Sequence, residues 1–215
     1  MTLFQQFIEN ARKPRKGVLG TLMLSGMNLA HNQMAIWSID NHLKPAQNHD
    51  ILDIGCGGGQ NIANLLLRTK GRVYGIDYSP ASVAKSLRRN RKAVENGRTK
   101  VIEAEVSHIP FDDETFDIVT AFETIYFWSD LENDFREVMR VLRPGGRFMI
   151  CNEATEEKGN ELWIKTLGLR IYTPEEITTH MQQVGFQQIR QHRQETSQRM
   201  CVVGVKNDSG KTEPA

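Results

Sequence analysis

One stretch of the sequence, residues 51–61, joins an apolar run to a cluster of glycines. It reads Ile-Leu-Asp-Ile-Gly-Cys-Gly-Gly-Gly-Gln-Asn, so a run that carries Asp53 breaks into a loop with Gly55, Gly57 and Gly59. Because glycine has no Cβ, such a loop can bring backbone N–H groups beside a bound cofactor at the start of a helix. The stretch therefore predicts a buried strand, a tight turn and a nucleotide-type site.

The spacing of these glycines disfavours a dinucleotide. The dinucleotide fingerprint is Gly-x-Gly-x-x-Gly or Ala, and its third small residue lets helix and strand pack closely. Counting from Gly55 and Gly57 places Gln60 at that position, because the third glycine, Gly59, comes one residue early. Asp53 also lies two residues before the first glycine. Both features disfavour a cofactor that carries a pyrophosphate.

Further signals follow in order along the chain. A β-prone run over residues 72–76 ends at Asp77, where a carboxylate can accept two hydrogen bonds from a ribose diol. The segment 101–111 carries Glu105 and Val106 and ends in Ile-Pro-Phe. Strands are predicted over Phe116–Phe122 and over residues 146–152, the second introduced by the turn Leu-Arg-Pro-Gly-Gly.

Taken together, these motifs resemble the class I S-adenosylmethionine (SAM) dependent methyltransferases, in particular the small-molecule type with a methyltransferase domain 11-like sequence. The resemblance covers residues 51–152. It implies an α/β fold with a Rossmann-like, seven-stranded, mostly parallel sheet of order 3-2-1-4-5-7-6, whose last strand is antiparallel and which carries helices on both faces. The cofactor that it implies is S-adenosyl-L-methionine.

The resemblance also implies roles for individual residues. Asp77 is expected to bind the ribose, Glu105 the adenine amino group, and the backbone N–H of Val106 the adenine ring. Asp53 is expected either to contact the cofactor or to hold the loop by hydrogen bonds. The cofactor-binding residues expected in this way are Asp53, Gly55, Gly57, Gly59, Asp77, Tyr78, Glu105, Val106 and Phe122.

Two residues after the fourth strand are candidates for catalysis. Glu123 and Tyr126 follow Phe122 at the edge where the reactive methyl of the family points, so they could orient or deprotonate a methyl acceptor. The alternative is a buried carboxylate paired with a lid and a packed aromatic ring. No metal is implied, since no set of histidines and carboxylates has ligand spacing.

Composition bounds the remaining possibilities. The chain has 215 residues, 39% of them hydrophobic and 25% charged, which predicts one globular domain. A net charge of +1 gives no strong field toward nucleic acid or a membrane. The sequence has no apolar run near the roughly 20 residues of a membrane span, and the first thirty residues lack a signal-peptide core, so a cytoplasmic location is expected. Three widely spaced cysteines indicate neither disulfides nor zinc.

Predicted strands alternate with predicted helices along most of the chain, and two consecutive strands without a helix between them follow near its end. Helices are expected over residues 60–68, 80–95, 130–142 and 174–184, followed by a hairpin of strands 187–192 and 200–205. Residues 1–44 are interpreted as an N-terminal helical lid, 45–206 as the SAM-binding domain and 207–215 as a disordered tail. Residues 153–172 are a second candidate cover.

The function expected from this reasoning is methyl transfer from SAM to a small-molecule acceptor, with the nucleophile and the oligomeric state left open. An RNA or protein methyltransferase is the alternative, although the chain reads Phe-Glu-Thr-Ile after the fourth strand where an Asn-Pro-Pro-Tyr type motif would stand. A SAM-binding regulatory protein without turnover is a third possibility, and an NAD-dependent dehydrogenase a fourth.

Overall fold

The computed structural model describes residues 32–194 and 198–207. These residues form one seven-stranded sheet of β1 Ile51–Ile54, β2 Val73–Asp77, β3 Thr99–Glu103, β4 Phe116–Phe122, β5 Leu142–Asn152, β6 Phe186–Arg193 and β7 Met200–Lys206. The strand order is β3-β2-β1-β4-β5-β7-β6; β7 is antiparallel to both of its neighbours and the other pairings are parallel. The predicted fold class, strand order and terminal hairpin are confirmed.

Helices cover both faces of the sheet, because two separate apolar clusters are buried against it. One cluster joins the sheet to the two helices that carry Phe135, Val138 and Ile177, and the other joins it to the two helices that carry Met34 and Leu65. The helices are α1 Asn32–Ser38, continued by a π-helical turn Ile39–Leu43, α2 Gln60–Leu66, α3 Pro80–Arg89, α4 Arg91–Glu95, α5 Leu131–Val141, α6 Glu161–Leu167 and α7 Pro174–Val184, with a 3-10 turn at Ile125–Phe127.

Side-chain caps fix the starts of three helices. The Ser79 hydroxyl accepts a hydrogen bond from the backbone N–H of Ser82, and Asp130 caps α5 in the same way. Thr173 and Glu176 form a reciprocal capping box at α7. Each cap satisfies backbone N–H groups that have no partner in the first helical turn, which is why these helices begin where the sequence predicts.

The structure departs most from the predicted elements at two places. The expected helix 80–95 is two helices that break at Asn90, whose Nδ2 donates to the carbonyl oxygens of Gly59 at 3.0 Å and Ser86 at 3.1 Å. A side chain that hydrogen-bonds backbone groups competes with helix continuation. β5 begins at Leu142 rather than Gly146, because residues 143–146 form a bulge opposite β4.

The segment just before β1 is packed into the fold. Met34, Ile39 and Leu43 are fully buried, and Asp40 pairs through both carboxylate oxygens with Arg68 at 2.5 and 2.8 Å. Residues 1–31 of the expected lid and 208–215 of the expected tail lie outside the described residues. The mobility of the lid and the domain boundaries therefore stay predictions.

Candidate functional site

A cavity of about 370 Å³ opens at the carboxyl ends of β1 to β4, within the size range of small-molecule pockets. In open α/β sheets this edge is where ligands bind, at the point where the strand order reverses. Here that point lies between β1 and β4. The lining residues are Ile54, Gly55, Ile76, Asp77, Tyr78, Ala104, Glu105, Val106, Ser107, Thr124, Phe127, Trp128, Ser129 and Asp134.

The glycine loop connects β1 to α2, and its three motif glycines have φ values of +67°, +51° and +75°. A Cβ on Gly55 would lie 2.2 Å from Oγ1 of Thr124, and one on Gly59 would lie 2.3 Å from Oγ of Ser86. Those two glycines are required by packing within the protein. A Cβ on Gly57 would meet no atom of the described residues within 4 Å, so only its left-handed backbone constrains it there.

Asp77 ends β2 and lies in the cavity wall with 6% of its surface exposed. Its Oδ2 accepts a hydrogen bond from the backbone N–H of Gly57 at 2.9 Å, and its Oδ1 accepts one from the N–H of Ser79 at 2.9 Å. Asp77 therefore positions the glycine loop and the start of α3 from the wall of the cavity.

Asp53 lies lower in β1, is 1% exposed and does not line the cavity. Thr120 on β4 donates its hydroxyl to Oδ1 of Asp53 at 2.8 Å, while Oδ2 has no hydrogen-bond partner among the described residues. Burial raises the pKa of Asp53 to about 7; the Thr120 hydrogen bond opposes this shift and the charge of Asp77 adds to it. The contacts described for this carboxyl are thus with the sheet.

The other expected cofactor residues divide into two groups. Tyr78, Glu105 and Val106 line the cavity, so the ends of β2 and β3 bring them together beside Asp77. Phe122 is 6% exposed, belongs to the apolar cluster on the α1 face and does not line the cavity. Their roles toward a cofactor stay predictions.

Glu123 and Tyr126 lie next to this site without lining the cavity. Oε1 of Glu123 accepts a hydrogen bond from the backbone N–H of Glu153 and lies 3.4 Å from the Tyr126 hydroxyl. That hydroxyl in turn accepts from the N–H of Ala154 at 3.1 Å. Both side chains therefore hold the chain that leaves β5, and their catalytic role stays a prediction.

The environment of this pair favours its neutral forms. Burial raises the pKa of Glu123 to about 8, and the backbone hydrogen bond from Glu153 opposes the shift. Burial and then the charge of Glu123 raise the pKa of Tyr126 well above its usual value. Glu123 also has a φ of +56°, an uncommon backbone conformation for a residue other than glycine.

The sequence reasoning missed one acid of the cavity, Asp134 in the first turn of α5. It is 1% exposed although it lines the cavity. Burial raises its pKa to about 6; the charges of Asp130 and Glu105 add to this shift, and a backbone hydrogen bond from Asp130 opposes it. A signal was present in the sequence, because Asp134 falls on the helical stripe formed by the apolar residues Leu131 and Val138.

The described residues contain no group of three or more histidine, cysteine or acidic side chains that could hold a metal ion. Within the same residues, no helix combines the length and the apolar character that crossing a bilayer requires. The cysteines, Cys56, Cys151 and Cys201, are buried and free.

Comparison with known proteins gives a consistent picture. The sequence model of the family described as "Methyltransferase domain" matches residues 52–150. "Methyltransferase GfsG" of Streptomyces halstedii is 35% identical over 104 residues, which span 48% of this chain and 37% of that protein. "Putative methyltransferase YrhH" of Bacillus subtilis is 34% identical over 122 residues, which span 56% of this chain and 67% of that protein.

A similar solved structure is the geranyl diphosphate C-methyltransferase of Streptomyces coelicolor, in complex with Mg²⁺, geranyl-S-thiolodiphosphate and S-adenosyl-L-homocysteine. Its TM-score is 0.71 at 15% identity, and the match covers 81% of this chain and 76% of that one. At this level of identity the likeness concerns the fold.

Proposed function

Because this chain belongs to the methyltransferase domain family, we propose that it transfers a methyl group from SAM to a small-molecule acceptor. The observation that carries the proposal is the placement of Asp77, a carboxylate in the cavity wall that is hydrogen-bonded to the glycine loop. This hydrogen bond joins the glycine loop to the acid at the end of β2, the two motifs that the family is expected to use for its cofactor.

The residues around the cavity fit a nucleoside cofactor. Asp77 would accept hydrogen bonds from the two ribose hydroxyls, since carboxylate oxygens can each accept more than one donor. Glu105 and Val106 stand at the neighbouring strand end, where we propose that they bind the adenine amino group and ring. The open space beside Gly57 leaves room for a ligand next to the loop.

SAM supplies a methyl group already activated on a sulfonium, with a neutral thioether as leaving group. The protein then has to hold a nucleophile in line with that methyl at about 3 Å and exclude water. We propose Glu123 and Tyr126 as the residues that orient the acceptor or take its proton. A carboxyl with a pKa of about 8 can hold or accept a proton near neutral pH.

A small-molecule acceptor is favoured over RNA because Arg89 near the site hydrogen-bonds the glycine loop and the chain carries little net positive charge. Arg89, which belongs to the basic run after Ser86, donates through Nε to the carbonyl oxygen of Gly58 at 3.0 Å and so braces the glycine loop. The net charge of +1 adds no strong attraction for a polyanion. The solved relative described above is named for geranyl diphosphate, a small molecule. A cytoplasmic location stays a prediction.

The test is direct. Calorimetry with SAM, S-adenosylhomocysteine and NAD should give micromolar binding of the first two and none of the third. A panel of metabolites with oxygen, nitrogen and carbon nucleophiles, together with RNA and protein substrates, is then screened for release of S-adenosylhomocysteine. Turnover with RNA or protein alone would replace the small-molecule proposal. Binding of SAM without turnover on any acceptor would favour the regulatory alternative.

A further inference from the structure

Two carboxyl groups, 29 positions apart in the sequence, line the same cavity. Glu105 follows β3 and is exposed, whereas Asp134 belongs to α5 and is almost completely buried. Both line the cavity, and the charge of Glu105 acts on the carboxyl of Asp134. Between the two in the sequence, Trp128 adds an aromatic wall to the same space.

Among the described residues, Asp53 and Asp134 each have a buried carboxyl oxygen without a partner, and of these two only Asp134 lines the cavity. Within the part of the chain that the structure describes, Oδ2 of Asp134 has almost no accessible surface and no hydrogen-bond partner. Burying a carboxyl oxygen without a donor is unfavourable, and buried polar atoms in folded proteins are nearly always paired. An acid on the apolar stripe of a helix, facing a ligand cavity, indicates a donor supplied by the ligand.

We propose that Asp134 accepts a hydrogen bond from the exocyclic amino group of the adenine, beside Glu105, and so selects the base of the cofactor. The inference rests on the proposed function, since it needs SAM or S-adenosylhomocysteine in the cavity. An exocyclic amino group has two N–H bonds and can donate to two acceptors at once. Glu105, the residue expected from the sequence, supplies one acceptor and Asp134 the other.

Such a pair of acceptors discriminates between purines. A hypoxanthine base carries a carbonyl oxygen where adenine carries the amino group, so it would place an acceptor against two acceptors. A site built to receive N–H donors rejects a ligand that lacks them, because its own polar atoms are left unpaired. We therefore expect S-adenosylhomocysteine to bind much more tightly than its deaminated analogue, S-inosylhomocysteine.

The experiment measures the ratio of the two dissociation constants by calorimetry. For the wild-type protein we expect S-inosylhomocysteine to bind at least about tenfold more weakly than S-adenosylhomocysteine. In Asp134→Asn, the amide oxygen can still accept from adenine while the amide nitrogen can donate to the hypoxanthine oxygen. The ratio should then fall about tenfold, mainly because the deaminated analogue binds more tightly.

Asp130→Asn is the matched control. It removes a negative charge from the same helical turn, and asparagine serves equally well as an N-cap. Asp130 does not line the cavity, so the ratio should stay at the wild-type value. Unfolding curves of both variants show whether α5 is intact.

The outcomes separate this inference from the proposed function. Failure of the wild-type protein to bind either ligand would overturn both. Binding of S-adenosylhomocysteine with a wild-type ratio near one would overturn the inference without any variant and leave the function standing. An unchanged ratio in a folded Asp134→Asn protein, or an equal change in the Asp130→Asn control, would also overturn it.

Discussion

Asp77 and Gly57 are joined by a hydrogen bond of 2.9 Å, in which the backbone N–H of Gly57 donates to Oδ2 of Asp77. The other oxygen of Asp77 accepts from the N–H of Ser79, the residue that caps α3. One side chain thus fixes the turn after β1 and the turn after β2. Asp77, which we propose to bind the ribose, therefore also holds the two turns that border the cavity.

Replacement of Asp77 should therefore affect both affinity and stability. In Asp77→Ala, two ribose hydrogen bonds of about 1 kcal/mol each are lost, so SAM and S-adenosylhomocysteine should bind at least about tenfold more weakly. The melting temperature should also fall, because the N–H groups of Gly57 and Ser79 lose their acceptor. Calorimetry and thermal unfolding measure the two effects.

Asp117→Ala is the control for this variant. Asp117 near the start of β4 also accepts a hydrogen bond from a backbone N–H, that of Asp50 at 2.8 Å, and pairs with Arg143 at 2.7 Å. It lies near the amino end of β4, whereas the cavity lies at the carboxyl ends of the strands. Its loss should therefore lower the stability of the fold and leave the affinity for SAM unchanged. Normal affinity in Asp77→Ala would rule out our placement of the ribose.

Gly57→Val tests whether the glycine loop contacts the cofactor. A β-branched residue at a φ of +51° is strained by roughly 1–2 kcal/mol, and its side chain would enter the space that we assign to the ligand. We expect a folded protein that no longer binds SAM. Gly97→Val carries the same kind of strain, with a φ of +74° and open space around it, in the turn before β3. If both variants bind SAM equally well, the loop does not contact the ligand at Gly57.

The pKa of Glu123 predicts a specific dependence of stability on pH. The folded pKa of about 8 lies above the ordinary value of 4.5, so between these values the folded state binds more protons than the unfolded state. This carboxyl therefore stabilises the fold at low pH, and that contribution is lost as the pH rises through about 8. Each pKa unit of difference corresponds to about 1.4 kcal/mol.

Glu123→Gln removes the titration while keeping an oxygen for the N–H of Glu153. Relative to wild type, the variant should gain at least about 1 kcal/mol in its free energy of unfolding when the pH is raised from about 5 to about 8.5. Urea unfolding at both pH values measures the difference. Glu156→Gln, at an exposed position of the same connection, is the control. Equal pH profiles for Glu123→Gln and wild type would contradict a half-buried Glu123 that is protonated near neutral pH.

Two truncations test the N-terminal segment. Removal of residues 1–31 should leave a folded core with weaker SAM binding, if that part acts as a lid. Removal of residues 1–44 also deletes Met34, Ile39 and Leu43, each fully buried, and burial of such a side chain contributes about 1.5–3 kcal/mol. The longer truncation should therefore unfold at a much lower temperature. Thermal unfolding and SAM titration of both proteins separate packing from the lid role.

Hydrogen exchange tests the lid itself. Cofactor should slow the exchange of amides around Asn28 and His31, which lie outside the described residues. Exchange that is already slow without ligand and does not change with it would make this segment a fixed part of the fold.

Local sequence determined the elements that build the site. The loop after β1 has a left-handed backbone at Gly55, Gly57 and Gly59, which favours glycine. The spacing of these glycines in the sequence therefore predicted the turn. The position of Asp77 at the end of a β-prone run likewise followed from the sequence, and so did the start of α7 at Pro174. These features depend on a few neighbouring residues and on steric limits that act within one turn.

The sequence by itself therefore determined the fold class, the order of the motifs and the acid at the end of β2. Only the tertiary structure decided which side chains face the cavity. Asp134 and Glu105 both line it, while Glu123 and Tyr126 contact the backbone of residues 153–154. The reason is physical: each of these contacts joins segments far apart in the chain, and their distances are set by how α5 and β5 pack against the sheet.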